Sequence, residues 1–260
     1  MKVELRERSF GELVGQSYSL AGVHFLKLAL IIGILGLPTV IYQLLVMRSG
    51  EVGGPQEAGA TAMVGVLVLL ILNLILVPLQ QGASVLLVAS SFTGDNPTLA
   101  DCFKVAFRRL GDILLLSIVV GLIVGFGFLL LIVPGLIFMT WYYVSIPALL
   151  VEKISRSQAM ERSKSLGLGN RMNILGFAIV TTLLLALIGG FIGGLIGGVA
   201  GSGYTQILVS YVINVAFSTV GIVAPVVYYF NLRVKKEAMD IQAFSSLVEA
   251  IARKAQTAQA

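Results

Sequence analysis

One histidine, one cysteine and thirteen acidic residues are the whole stock of metal-ligating and acid–base side chains in this 260-residue chain. A lone His24 can neither build a metal cage nor pass a proton to a second histidine. It sits where the first long apolar run begins, a headgroup-level position. A single cysteine, Cys102, excludes an intrachain disulfide and a Cys metal cluster. The acidic residues fall outside the apolar runs and mostly adjoin basic ones. Asp95 and Asp101, with Asn96-Pro97 between them, read as loop and cap residues. Paired carboxylates, a nucleophile triad, a phosphate-binding glycine loop and a nucleotide motif are all missing from the sequence. The expectation is a non-enzymatic chain with no cofactor and no metal.

Three other groups of residues have types and spacing that carry physical meaning. Gly189, Gly193, Gly197 and Gly201 recur every fourth residue, with Gly190, Gly194 and Gly198 beside them. On a helix they form a stripe nearly free of side chains, where another backbone can come close and dispersion contacts hold helices together in lipid. Packing within the chain, a homo-oligomer seam and a pore lining all remain open. Second, a few neutral polar residues interrupt the apolar runs, among them Asn73, Gln80, Gln81, Ser210, Asn214 and Ser218. Such groups ordinarily bond between helices; the sharper reading is a polar solute path through Asn73 and Asn214. Third, Arg108, Arg109, Arg162, Lys164, Arg171, Arg233, Lys235 and Lys236 form a basic rim suited to anionic headgroups, each contact being worth about 1 kcal/mol. The rim is also what topology alone would require.

These residues are positioned by apolar helices. Hydrophobic residues make up 57% of the chain and charged residues 12%, with a mean hydropathy of +0.95. Soluble domains carry about 25% charged residues, so this composition excludes an ordinary soluble fold. Six continuous apolar runs approach the roughly 20 residues needed to span a bilayer: Leu26–Met47, Ala62–Ser84, Ile113–Val133, Leu136–Val151, Ile174–Val199 and Ile207–Phe230. The runs do not alternate apolar with polar, as barrel strands do. The fold class is therefore all-α, a polytopic membrane protein. Away from their ends the spans hold no Asp, Glu, Lys, Arg or His, which weighs against a proton-coupled transporter.

Lys and Arg alternate between loops, 17 on one set and 1 on the other. By the positive-inside rule both termini face the cytoplasm and the number of spans is even. The first run is too long for a signal-peptide core and no small-residue cleavage site follows it, so it is expected to be retained. A pI near 9.4 reflects this topology; the dispersed cations do not point to nucleic acid.

Each pair of spans is preceded by an amphipathic elbow helix: Phe10–Phe25, Leu99–Leu110, where Thr98 and Asp101 form a capping box, and Ser157–Leu166, stopped by Gly167 and Gly169. The elbows are expected to lie in the headgroup plane. The second span of each pair carries one proline, Pro78, Pro147 or Pro225. The chain thus divides into an elbow at 1–25, a hairpin at 26–91, elbow-plus-hairpin units at 92–151 and 152–231, and a tail at 232–260. The tail is expected to hold an amphipathic helix over Asp240–Lys254. Pro134-Gly135 is expected to make the tight turn of the second hairpin.

Two stretches carry a family resemblance. Arg162-Ser163-Lys164-Ser165-Leu166-Gly167-Leu168-Gly169-Asn170, leading to Ile174-Leu175-Gly176, resembles an RSxxLxxGN…ILG motif. Tyr228-Tyr229-Phe230-Asn231-Leu232-Arg233-Val234-Lys235-Lys236-Glu237 resembles YYxDLRxRKEG. With Val133-Pro134-Gly135 and Leu149-Leu150-Val151-Glu152, they are similar to the membrane domain attached to some bacterial glycerophosphodiester phosphodiesterases and shared by stand-alone membrane proteins. The likeness covers roughly residues 95–240 and departs at Asn231, where Asp is usual, and at Ala238, where Gly is. It implies a bacterial cytoplasmic membrane location and no activity, because the phosphodiesterase chemistry belongs to a separate barrel. Two functions follow as expectations. One is a module packing against membrane lipids, a membrane protein partner or copies of itself. The other is a transporter or channel for a lipid or small neutral solute, whose structural mark would be a cavity beside Asn73 and Asn214.

Overall fold

A computed structural model describes residues 6–48, 60–93, 97–200 and 203–237. Among these residues the chain is helical, with no strand: α1 (Phe10–Val23), α2 (Phe25–Arg48), α3 (Ala60–Thr93), α4 (Leu99–Arg108), α5 (Leu110–Leu130), α6 (Ile132–Tyr142), α7 (Ser145–Val151), α8 (Arg156–Gly167), α9 (Arg171–Ala200) and α10 (Tyr204–Glu237). Six segments are long and apolar enough to cross a membrane, namely α2, α3, α5, α6 with α7, α9 and α10. The chain is a multi-pass helical membrane protein. Asp240–Lys254 and Gly201 lie outside the described residues.

The three elbows are α1, α4 and α8, and they begin alike. Ser9, Thr98 and Ser155 are N-caps, and the side chain three residues on accepts from the cap's own backbone N–H: Glu12 at 2.8 Å, Asp101 at 3.1 Å and Gln158 at 3.0 Å. Each is a capping box. The residues four and eight positions past each cap are buried: Leu13 and Ser17, Cys102 and Ala106, Ala159 and Ser163. A period of four puts both on one helix face, and all but Leu13 are small, which lets the elbow lie close against the spans. The three elbow-plus-hairpin units thus share one start and one buried register.

The second hairpin departs from expectation. Its turn residue is Leu131, extended at φ −163° and ψ 155°, and Pro134-Gly135 lies within the first turn of α6. Proline is tolerated there because an N–H in the first turn has no helical acceptor. Both glycines are needed for proximity: a Cβ on Gly127 would meet Gly135 Cα at 2.9 Å, and one on Gly135 would run into the Phe128 ring. The fourth span begins at Ile132, earlier than Leu136, and breaks at Tyr143–Val144 into α6 and α7. Pro147 accounts for the break, since it lacks the N–H that would bond Tyr143 and its ring crowds that carbonyl. Pro78 and Pro225 stay inside the continuous helices α3 and α10.

The core lies at the elbow end. There α10 packs on α1, α2, α3, α7, α8 and α9, and Phe92 stacks on Phe230 with ring centroids 4.3 Å apart. Phe177, Tyr143 and Tyr228 complete the aromatic packing. The opposite end is looser, with Leu122, Leu129, Leu131, Leu187, Phe191 and Val212 exposed. In a hydrocarbon solvent such side chains need no cover.

Candidate functional site

Where α2, α3 and α10 diverge, away from the elbow end, they enclose a cleft of about 1250 Å³. Two side chains of its lining bond to α2. Gln80 Nε2 donates to Ile32 O at 3.3 Å, and Tyr211 OH donates to Gly33 O. Gly36 makes room for the tyrosine, because a Cβ there would stand 2.8 Å from its hydroxyl. From Ile32 the walls run to Met47, Gly65 and Gly203, a depth of about 22 Å at 1.5 Å per residue.

The lining is apolar on its walls and polar along tracks. On α10, Gln206, Ser210, Asn214 and Ser218 face the cleft at every fourth position; α2 contributes Thr39 and Gln43, and α3 contributes Asn73, Gln80 and Gln81. No ionisable Asp, Glu, Lys, Arg or His lines it among the described residues. Asn73 Nδ2 turns back to Leu69 O at 2.8 Å, and Ser218 Oγ donates to Asn214 Oδ1 at 3.2 Å. The two asparagines singled out in the sequence therefore line one cavity. What the spacing could not reveal was the tyrosine–glycine contact in its wall. Gly33, Gly36 and Tyr211 come together from points 178 residues apart.

A second gap of about 290 Å³ separates α9 from α10 and is lined by Gly189, Gly190 and Gly193. Ser210 and Asn214 line both spaces. A Cβ on Gly189 would touch Phe217 at 3.6 Å, whereas one on Gly190, Gly193 or Gly194 would meet nothing within 4 Å. The described part of the stripe is thus an open face with one contact. The surroundings of Gly197 and Gly198 lie outside the described residues.

The basic rim divides by partner. Arg162 Nε donates to both Glu152 oxygens, at 2.9 and 3.0 Å, and its NH2 reaches Glu237. Arg233 bonds Glu237 at 3.0 Å and lies 3.8 Å from Glu152. Tyr229 OH donates to Glu152 at 2.7 Å. This cluster joins α7, α8 and α10 and is largely shielded, Arg233 being 11% and Glu152 17% exposed. Arg109 donates to the carbonyls of Lys153 and Ile154, tying α5 to the turn after α7. Lys235 pairs with Glu7, and Lys236 donates to Ser165 O. Arg108 is exposed. Lys164 and Arg171 instead flank Trp141.

Glu152, Glu237 and Tyr229 were not among the candidate site residues, although all three stand in the motifs that carry the family resemblance. His24 is half-buried and within 2.5 Å of Ser91 Oγ; burial, with Lys27 nearby, holds its pKa below the ordinary value. Cys102 is fully buried, which pushes its thiol up. No group of three or more metal-ligating side chains occurs among the described residues. Comparison with family models, curated proteins and solved structures found no match to this chain. The resemblance to the phosphodiesterase-associated membrane domain therefore rests on the quoted motifs alone.

Proposed function

We propose that the chain binds and passes a lipid-like or small neutral solute through the α2–α3–α10 cleft, in a bacterial cytoplasmic membrane with both termini inside. The observation that carries this reading is the 1250 Å³ cavity lined by Asn73 and Asn214 and free of charge. A site without ionisable groups desolvates a neutral ligand readily and disfavours an ion, which would leave its hydration shell for no counter-charge. The amides and hydroxyls supply neutral donors and acceptors over about 18 Å of α10, while valine and isoleucine walls suit an alkyl chain.

The test uses purified protein in proteoliposomes. Glycerol entry is followed by light scattering, and exchange of fluorescent phospholipid between leaflets by dithionite quenching. Flux above empty vesicles in either arm, reduced by Asn214→Leu, is the expected result. Rates equal to empty vesicles in both arms would refute the reading. A packing module remains a second reading, favoured by one observation. Gly190, Gly193 and Gly194 have nothing within 4 Å of an added Cβ, leaving a helix face on which a second copy could pack.

A further inference from the structure

Trp141 holds near its ring two cations that no acidic side chain in the described protein neutralises; one of them, Lys164, also lies 5.3 Å from the Tyr142 ring. Lys164 Nζ lies 5.0 Å from the centroid of its ring, and Arg171 Cζ lies 5.0 Å from the same centroid. The two charges are therefore no more than twice that distance apart. Neither takes part in any ion pair among the described residues. Arg162, on the same helix as Lys164, and Arg233, on α10, are by contrast engaged by Glu152 and Glu237.

Two donors at this place also lack acceptors. Arg171 Nε and Trp141 Nε1 are both buried, and neither has a hydrogen-bond partner. A buried N–H without an acceptor is costly, and more so on a charged group. Two like charges held near one ring repel, and an anion between them removes the repulsion while accepting the unmet hydrogen bonds. Local contacts set these positions. Ser163 Oγ donates to Trp141 O at 2.7 Å, pinning α8 to α6, and Gly169, at φ +79°, makes the turn that brings Arg171 back beside Lys164. Leu168 and Met172, on either side of Arg171, are 54% and 79% exposed. Exposed apolar residues flanking paired cations and an indole describe a headgroup-level lipid contact.

We infer that Lys164, Arg171 and Trp141 form a binding site for the phosphate of an anionic membrane lipid, separate from the α2–α3–α10 cleft. The phosphate oxygens accept from the guanidinium and indole N–H groups, and the acyl chains lie along Leu168 and Met172.

Trp141 is the only tryptophan in the chain, so its fluorescence reports this site directly. The protein in a neutral detergent is titrated with phosphatidylglycerol, phosphatidylcholine or inorganic phosphate. A saturable change with phosphatidylglycerol, at concentrations where the other two give none, is expected. Lys164→Met keeps the apolar stem and removes the charge; it should weaken binding about fivefold, and its combination with Arg171→Gln about thirtyfold. Arg108→Gln removes an exposed cation elsewhere on the rim and should leave affinity within twofold. Three results would overturn the inference. They are no saturable change with the anionic lipid, equal saturation by inorganic phosphate, and an Arg108→Gln loss as large as that of Lys164→Met. The glycerol and lipid-exchange rates of the Lys164→Met protein should match the parent, which keeps this test independent of the cleft.

Discussion

Replacing Glu152 by Gln should be among the most damaging single changes of charge in the protein. Its carboxylate receives Arg162 Nε on both oxygens and Tyr229 OH on one, and it faces Arg233. The parent cluster is neutral, two arginines against Glu152 and Glu237. The amide leaves it with one uncompensated positive charge in a shielded place. Stripping one partner from a buried ion pair costs about 3–5 kcal/mol. Arg162 keeps 28% exposure, so the lower end applies, about 3 kcal/mol. For a chain of this length that is a fall in melting temperature of about 6–12 °C. The assay is thermal unfolding of detergent-solubilised protein, with Arg162→Gln and the double variant completing a cycle. The double variant is neutral again and should be less destabilised than the two singles together, by about 2 kcal/mol. Refutation would come from a Glu152→Gln protein melting within about 2 °C of the parent, a shift equivalent to less than ~1 kcal/mol. Strict additivity in the cycle would also refute the reasoning.

Three further outcomes follow from the same geometry. Gly127→Ala drives a Cβ to 2.9 Å from Gly135 Cα and should destabilise by about 1–3 kcal/mol; Gly193→Ala meets nothing and should be neutral or stabilising by up to about 1 kcal/mol in unfolding measurements on monomeric protein. Because the pKa of His24 is lowered on folding, by burial first and Lys27 second, the unfolded chain takes up its proton at higher pH than the folded one. Its stabilising effect is complete above the unfolded value of 6.5 and fades as pH falls toward the lower folded value. Melting curves between pH 8 and 5 should show this loss, and His24→Gln should flatten it. Ser9→Ala, Thr98→Ala and Ser155→Ala each remove one capping box and should each cost about 1 kcal/mol, measured as equal shifts in denaturant midpoint.

The elbows and spans were legible because they depend on local rules. A helical period, a capping box and a run of apolar residues are properties of ten to twenty neighbours. The bounds of the fourth span were not, since Leu131, Pro134 and Pro147 sit in an unbroken apolar stretch where hydropathy cannot locate a turn or a break. Asn73 and Asn214 were legible as oddities, but their shared cavity depended on Tyr211 finding a gap at Gly36. The rim was the least legible. A count of cations by loop bears on the expected orientation in the membrane and says nothing about partners. Arg162 meets Glu237 across 75 residues and Tyr229 meets Glu152 across 77, distances at which no spacing rule operates. Lys164 and Arg171 are only seven residues apart, yet what distinguishes them is the absence of an acid, visible once α8 folds onto α6.

The cluster of Glu152, Arg162 and Glu237 also sets an order of events during synthesis. Glu152 and Arg162 leave the ribosome ten residues apart, so the guanidinium meets a two-oxygen acceptor almost at once. Glu237 follows 75 residues later, after two more hydrophobic segments have been made. In the interval Arg162 is already neutralised by Glu152, before its second acidic partner exists. Arrival of the last helical turn then adds Arg233 and Glu237 together, equal and opposite, so assembly ends without a change in the cluster's net charge. A nascent chain halted before residue 233 should therefore already hold the Glu152–Arg162 contact, detectable as a crosslink between those two positions.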